Sequence, residues 1–298
     1  MAIPRSTKVP ITDGVYAPKY ETLRKIFWLH CRHSSVTYIG RMVQMLDAFT
    51  KGFSDYLSKD TDPAEFAGFL RGCYRCLNDH KEGLARLRNA DHSGFKLIRG
   101  GMSFRDPFYD RVTEYAFEPL GYHGDDKPSE ALWTWMEKGI PLTLNIEGTL
   151  RGRKSLPLFD VSAYPFPDQI GGYPFVRDIF IQNGEDIPIT GVWQPKNLKG
   201  GCPNFLIQGE KAPMANLPIL RTDTPAWDER MKDGSINHHE AKSEFDLGKF
   251  PAVWQLVWED DRWRNGREPI GEDDYLIGPD TDLPKEPPVA LRDPPKFP

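Results

Sequence analysis

A helical spacing governs the stretch VTYIGRMVQMLDAFTKGFSDYL (residues 36–57). Its apolar residues advance by threes and fours from Val36 to Leu57, which places them on one stripe of a helix about 22 residues long. Ser34 or Ser35 comes directly before the stripe and offers a hydroxyl for the N-cap. The stretch therefore predicts a long amphipathic helix with one face turned toward a core.

The same spacing predicts a helix on each side of this stretch. Apolar residues in the range 23–30 indicate a shorter helix before it, and those in the range 66–87 indicate a longer one after it. The second flanking helix has a clear start, because Asp62 can accept from the first backbone N–H groups and Pro63 suits the first helical position. We expect the three helices to pack against one another.

A fourth helix is predicted further along the chain, after a glycine- and proline-rich region. Residues 91–127 lack a sustained period, so we expect loops with short segments there. The range Ser129–Lys138 regains helical spacing, with Ser129 as its cap. Gly139 and Pro141 follow, and they predict the end of this helix.

Short extended runs replace the helical spacing after this point. Turn residues separate five candidate strands: Leu142–Ile146, Ile179–Gln182, Ile189–Trp193, Phe205–Ile207 and Val253–Trp258. In the last strand, Trp254 and Leu256 share one face while Val253 and Val257 share the other. Because both faces are apolar, it is predicted to be a central strand covered on both sides.

These patterns together predict an α+β fold, in which an N-terminal helical bundle packs against a mostly antiparallel, β-rich C-terminal part. The predicted division is an extended segment (1–19), a helical part (20–140), a β-rich part (141–278) and a proline-rich tail (279–298). Proline lacks a backbone N–H and has a fixed φ, so the tail is expected to be extended.

The composition is that of a water-soluble chain. The 298 residues are 39% hydrophobic and 27% charged, with a mean hydropathy of −0.55. No apolar run approaches the roughly 18 residues that cross a bilayer, so no membrane span is expected. The N-terminus has no apolar stretch of signal-peptide type, and four cysteines are too few for a disulfide framework. We therefore expect a cytoplasmic protein with reduced thiols.

Negative charge is concentrated near the C-terminus. The net charge is −5, made up of about +2 in residues 1–180 and about −7 in residues 181–298. Nine acids and three arginines lie between Glu259 and Asp282. This balance disfavours nucleic acid, whose phosphates require lysine and arginine, and it favours a basic protein partner.

Two groups of residues suggest chemistry. Cys73, Cys76 and His80 lie on one face of a predicted helix, and we interpret them as buried structural residues. A metal site completed by the neighbouring predicted helix, or a redox pair, remains an open alternative. The run His238-His239-Glu240 holds acid–base groups within a loop-like composition, and it carries the alternative hypothesis of a hydrolase-type enzyme.

A longer pattern lies between these groups. It consists of Asp186-Ile187-Pro188-Ile189-Thr190-Gly191-Val192-Trp193-Gln194-Pro195 followed by Gly201-Cys202-Pro203-Asn204-Phe205-Leu206-Ile207-Gln208-Gly209-Glu210-Lys211-Ala212-Pro213. This pattern resembles the signature of immunity protein families seventy-one and seventy-two, which accompany bacterial polymorphic toxins and type VI secretion effectors. In those proteins a helical part precedes the signature, as predicted here. The glycines, tryptophan and prolines of the signature are predicted to form a scaffold, with Asn204 capping a turn.

The resemblance implies a cytosolic immunity protein that neutralises a cognate toxin by direct stoichiometric binding. No catalytic residue, cofactor or metal is expected, and the toxin is expected to be basic and to act in the cytosol. From the charge pattern we predict the partner-binding residues to be Glu259, Asp260, Asp261, Trp263, Glu272, Asp273 and Asp274. Trp263 is the expected anchor, because tryptophan is enriched at interface hot spots.

Overall fold

The structure is a computed structural model that describes residues 19–60, 63–101, 127–152, 161–220, 227–230, 236–239 and 245–288. Within these ranges the fold is α+β, with a helical N-terminal part and a strand-rich C-terminal part, as predicted. The helices are α1 (Tyr20–His33), α2 (Val36–Asp60), α3 (Pro63–Arg88), α4 (Gly94–Gly101) and α5 (Lys127–Leu150). A short 3₁₀ helix spans Glu272–Leu276.

The three predicted N-terminal helices are confirmed. Ser35 is the N-cap of α2, because its Oγ accepts a hydrogen bond from the backbone N–H of Tyr38 at 3.0 Å. The stripe read from the sequence of α2 is the buried face, and Ile39 and Phe53 have no exposed surface. Helix α3 begins at Pro63, and Asp62 lies outside the described residues.

Helix α4 was not predicted, because its two ends are glycines and it lies in a stretch assigned to loops. Phe95 and Ile98 of α4 are buried. A methyl group on Gly94 would lie 2.4 Å from the carbonyl oxygen of Gly83 in α3, so the two helices approach more closely there than a side chain permits. Glycine at this position thus permits close helix packing rather than marking a loop.

Helix α5 corrects two predictions. The helix continues through Gly139 and Pro141 to Leu150, so the predicted end near Lys138 and the predicted strand Leu142–Ile146 are both wrong. Pro141 is exposed, and the Thr143 hydroxyl donates to the carbonyl oxygen of Gly139 at 3.0 Å. Leu132, Met136, Leu142, Ile146 and Leu150 form one buried stripe. The gain from burying this stripe outweighs the local cost of the proline.

The strands are antiparallel in every pairing among the described residues. Their bounds are β1 (Phe180–Gln182), β2 (Gly191–Pro195), β3 (Asn204–Leu206), β4 (Ala215–Leu220), β5 (Trp227–Arg230), β6 (Ile236–His239), β7 (Phe245–Phe250) and β8 (Val253–Glu259). One sheet has the order β1-β8-β2-β3, and β4–β7 and β5–β6 form two further pairs. Strand β8 lies between β1 and β2 and Trp254, Leu256 and Val257 are buried, which confirms the prediction of a central strand.

Two compact units divide the chain. The first comprises residues 1–27, 152–163 and 172–259, and the second comprises residues 28–151, 164–171 and 260–298. Trp193 and Trp254 are fully buried in the apolar core of the first unit. The second unit contains α2 to α5 and the start of the proline-rich stretch. No helix in the described part of the chain is long and apolar enough to cross a membrane.

Within the second unit, the proline-rich stretch runs along the helices as far as it is described. The Trp135 indole N–H donates to the carbonyl oxygen of Glu286 at 2.7 Å, and the Lys138 ammonium donates to that of Pro279 at 2.7 Å. Pro288 lies against Gly52, where an added methyl group would meet its ring at 2.7 Å. Residues 279–288 therefore lie against α2 and α5, with a turn at residues 279–280, and residues 289–298 lie outside the described residues.

Candidate functional site

In the second unit, residues 260–281, which we call the acidic segment, are joined to the end of α1 by two arginines. The first is Arg262, which lies within the segment. Its Nε and Nη2 donate to the two carboxylate oxygens of Asp260 at 2.7 and 2.6 Å. Its Nη1 donates to the carbonyl oxygen of Cys31 and its Nη2 to the Ser34 hydroxyl, both at 2.8 Å. Arg262 thus binds a carbonyl oxygen in the last turn of α1, where C=O groups lack a backbone partner, and the Ser34 hydroxyl, which itself donates to the His30 carbonyl oxygen at 2.6 Å.

The Arg262 guanidinium is held in its charged form. Burial alone would lower the pKa of the Arg262 guanidinium, but contact with Asp260 raises it above its ordinary value. The guanidinium also lies at the C-terminal end of α1, where the helix dipole favours positive charge. Asp260 is 3% exposed, so the pair is a buried salt bridge with two-point geometry.

The second arginine is Arg32 of α1, which has no exposed surface. It donates to the carbonyl oxygens of Tyr275 and Ile277 at 2.9 and 2.6 Å and to a carboxylate oxygen of Asp280 at 2.8 Å. The Tyr38 hydroxyl donates to the other Asp280 oxygen at 3.0 Å. Burial raises the pKa of this hydroxyl and the Asp280 charge raises it further, so it keeps its proton.

A buried carboxylate, Glu272, connects the acidic segment to the start of α2. One of its oxygens accepts from the Thr37 hydroxyl at 2.6 Å and from the Thr37 backbone N–H at 3.3 Å. The other accepts only a long bond, 3.4 Å, from the Trp263 indole N–H. Glu272 is 2% exposed, and among the described residues no arginine or lysine forms an ion pair with it. The N-terminal end of α2 favours its negative charge.

These groups surround a small pocket in the second unit. It has room for about one water molecule. It is lined by Ser34, Val36, Leu87, His92, Phe95, Asp260, Arg262, Trp263 and Glu272. Burial lowers the pKa of His92, so its imidazole is neutral at pH 7. Trp263 has a φ of 62°, which is rare for a bulky residue and is found mostly where the surrounding structure enforces it.

The predicted partner-binding residues occupy different environments. Asp261, Asp273 and Asp274 are exposed, and the last two lie on the short 3₁₀ helix. Asp260 and Glu272 are buried, and their oxygens accept hydrogen bonds from within the chain. We therefore assign Asp260 and Glu272 to holding the acidic segment in place. Of the predicted residues only Asp261, Asp273 and Asp274 are exposed surface charges, and the same segment also exposes Arg264, Arg267 and Glu268.

The other two predicted residues are partly buried. Trp263 lines the pocket, as described above. Glu259 lies in the first unit, where its carboxylate forms an ion pair with Arg177 at 2.9 Å. The sequence did not point to Arg32, Tyr38 or His92 as part of this site. Arg32 and its carboxylate partner are 248 residues apart in the sequence, so no local pattern links them.

Cys73 and His80 of α3 are buried, as predicted, whereas Cys76 is half-buried. Burial raises the pKa of the Cys73 and Cys76 thiols and lowers that of the His80 imidazole. Cys31 is likewise buried, which raises the pKa of its thiol to about 12. His80 Nδ1 lies 2.5 Å from the Cys76 carbonyl oxygen. In the described ranges, no three histidine, cysteine, aspartate or glutamate side chains are arranged to hold a metal ion.

His238 and His239 do not lie in a loop, which corrects the prediction for these two residues. His238 and His239 belong to strand β6 and are in register with Asp228 and Trp227 of β5. The polar, glycine-containing flank suggested a loop, but the pairing with β5 continues through both histidines. Glu240 lies outside the described residues.

The signature residues form part of the first unit's core. Val192 pairs with Phe205 across β2 and β3. A methyl group on Gly191 would lie 2.0 Å from the Trp258 carbonyl oxygen, so only glycine fits there. The Trp193 indole N–H donates to the Ile189 carbonyl oxygen at 3.2 Å. Asn204 is the first residue of β3, and its amide donates to the Cys202 carbonyl oxygen at 3.2 Å.

Comparison of the chain with known protein families, with curated proteins and with solved structures finds no match. The assignment of a function therefore rests on the residues and their geometry.

Proposed function

We propose that this chain is a cytosolic immunity protein that neutralises a cognate toxin of a polymorphic or type VI secretion system by direct stoichiometric binding. One observation carries the proposal. The acidic segment presents Asp261, Asp273 and Asp274 to solvent while Arg32 and Arg262 bind its inner side. The signature residues resemble those of immunity protein families seventy-one and seventy-two, although no family model matches the chain.

The buried arginines favour binding because they hold the exposed acids in place before a partner arrives. Ordering a loop on binding costs free energy, and a segment that is already fixed avoids much of that cost. Fixed negative charges also steer a basic partner and speed its association. A toxin domain that acts on nucleic acid in the cytosol has the basic surface that this segment would cover.

The test uses the toxin domain encoded by the gene immediately upstream, co-expressed with this chain in a bacterial host. We expect the domain to arrest growth alone, and the wild-type chain to restore growth and form a one-to-one complex by size-exclusion chromatography. Reversing Asp261, Asp273 and Asp274 to lysine should weaken the complex by more than about tenfold and make its association rate less sensitive to salt.

A matched control separates the position of the charges from the total charge. Glu137, Asp168 and Asp178 are exposed acids elsewhere in the described residues, and reversing them gives the same net charge. This variant should protect as the wild type does. Equal loss in both variants, or failure of the wild-type chain to bind, would contradict the proposal.

The hydrolase alternative makes an opposite prediction for strand β6. Replacing His238 and His239 with alanine should leave complex formation and protection intact if the chain acts by binding. Loss of protection by the double variant, with the complex still formed, would instead favour an enzymatic role.

A further inference from the structure

We propose that the pocket beside Trp263 receives the ammonium group of one lysine side chain of the partner, with Glu272 as its counter-ion. This inference rests on the proposed function, because it names one contact that the toxin makes. The lysine would be a buried anchor, whereas the exposed acids act mainly on the rate at which the two proteins associate.

The charge of the pocket selects a cation. Asp260 and Arg262 neutralise each other through two hydrogen bonds, whereas Glu272 has no ion-pair partner among the described residues. The charged side chains that line the pocket therefore leave one net negative charge. A buried carboxylate without a cation is costly, and an incoming ammonium removes that cost.

The hydrogen-bonding groups of the pocket also suit a donor. One Glu272 oxygen accepts only the 3.4 Å bond from Trp263, so it has capacity for a second, shorter bond. His92 lines the same pocket, and its neutral imidazole has a nitrogen that accepts a hydrogen bond.

The size of the pocket favours lysine over arginine. Its space matches about one water molecule, and an ammonium group is a compact point charge of similar size. A guanidinium is a wider planar group that needs several acceptors in its plane. The flexible lysine stem then extends from the pocket toward the partner surface.

The experiment titrates the full chain with n-butylammonium chloride, a mimic of the lysine side chain, at constant ionic strength against sodium chloride. The readout is the NMR shift of the Trp263 indole N–H. We expect a saturable, millimolar response, no response to n-butanol, and none to tetramethylammonium, which is too large and has no hydrogen-bond donor. Glu272→Gln keeps the side-chain shape and should weaken butylammonium binding by about tenfold or more.

The wild-type titrations test the pocket even if Glu272→Gln does not fold, because n-butanol and tetramethylammonium are controls on the unchanged chain. An unsaturable response, or equal responses to butylammonium and n-butanol, would overturn the inference. If butylammonium binds as expected but Glu272→Gln leaves the affinity for the toxin domain unchanged, the lysine contact is refuted. The charge-reversal test of Asp261, Asp273 and Asp274 would stand independently of either result.

Discussion

Replacing Arg262 with methionine is the sharpest test of how the acidic segment is held. The substitution keeps a long apolar side chain but removes the guanidinium that binds Asp260 through two hydrogen bonds. Asp260 would then be an unpaired carboxylate with 3% of its surface exposed. The carbonyl oxygen of Cys31 and the hydroxyl of Ser34 would also lose a donor.

Breaking one side of a buried ion pair costs about 3–5 kcal/mol, because the remaining charge stays desolvated. This is a large share of the roughly 5–15 kcal/mol by which a domain is stable. The unfolding equilibrium constant of Arg262→Met should rise by about two to four orders of magnitude. In urea unfolding followed by circular dichroism, the midpoint should fall by about 1–3 M.

Two further variants separate the ion pair from general effects of the substitution. Arg86 forms a 2.5 Å ion pair with Glu82 in the same unit, but both side chains are largely exposed, at 41% and 55%. Arg86→Met should therefore cost less than about 1 kcal/mol. Adding Asp260→Asn to Arg262→Met should recover part of the loss, since no unpaired charge remains. If Arg262→Met loses no more stability than Arg86→Met, the arginine does not hold the segment.

Two other substitutions address the core and the pH dependence of stability. Gly191→Ala should lower the melting temperature and reduce the free energy of unfolding by about 1–3 kcal/mol or more, because its methyl group meets the Trp258 backbone at 2.0 Å. Gly171 has open space around it, so the melting temperature of the control variant Gly171→Ala should be close to that of the wild type. Similar melting temperatures for the two variants would contradict the close approach of Gly191 to Trp258. Burial lowers the pKa of His80 in the folded state, so the unfolded chain binds the proton first as the pH falls. The free energy of unfolding should therefore fall as the pH drops below about 6.5, until the pH is below the pKa of the folded state. His80→Gln should flatten this dependence in urea midpoints measured from pH 7.5 to 5.5, and an unchanged slope would show that other groups cause it.

The sequence was most informative where a long period and a cap agree. Helix α2 has both, since its apolar stripe and Ser35 point to the same start and the same buried face. At Pro141 the local signal and the burial pattern conflict, and burial of Leu142 and Ile146 prevails. Such conflicts are settled by contacts distant in sequence, so local spacing cannot decide them.

The strands also show how far local sequence patterns predict structure. Strand β8 was predicted because its apolar residues mark both faces. Strands β5 and β6, with the sequences WDER and INHH, are short and polar and form a separate two-stranded pair. Alternation over four residues carries little information, and the pairing that makes them strands depends on the neighbour.

For the candidate site, the sequence located the acidic region but could not show which of its residues are buried and which are exposed. Asp260 and Asp261 are adjacent and chemically identical, yet the first is buried against an arginine and the second is exposed. The difference comes from the end of α1, more than 220 residues earlier in the chain. Composition reports how many charges a segment has, whereas tertiary contacts decide which of them face water.

The distance in sequence between Arg32 and Asp280 has a consequence for how this chain matures during synthesis. Arg32 leaves the ribosome long before the carbonyl groups and carboxylate that will enclose it, because those lie about 243 to 248 residues later. Until then the Arg32 guanidinium of α1 is hydrated, and it loses contact with water only when the second unit is complete. Closure of so long a loop is slow compared with helix formation. Synthesis of residues 275–280 would thus commit the second unit to its final state, and the nascent helices would stay open to chaperones until then.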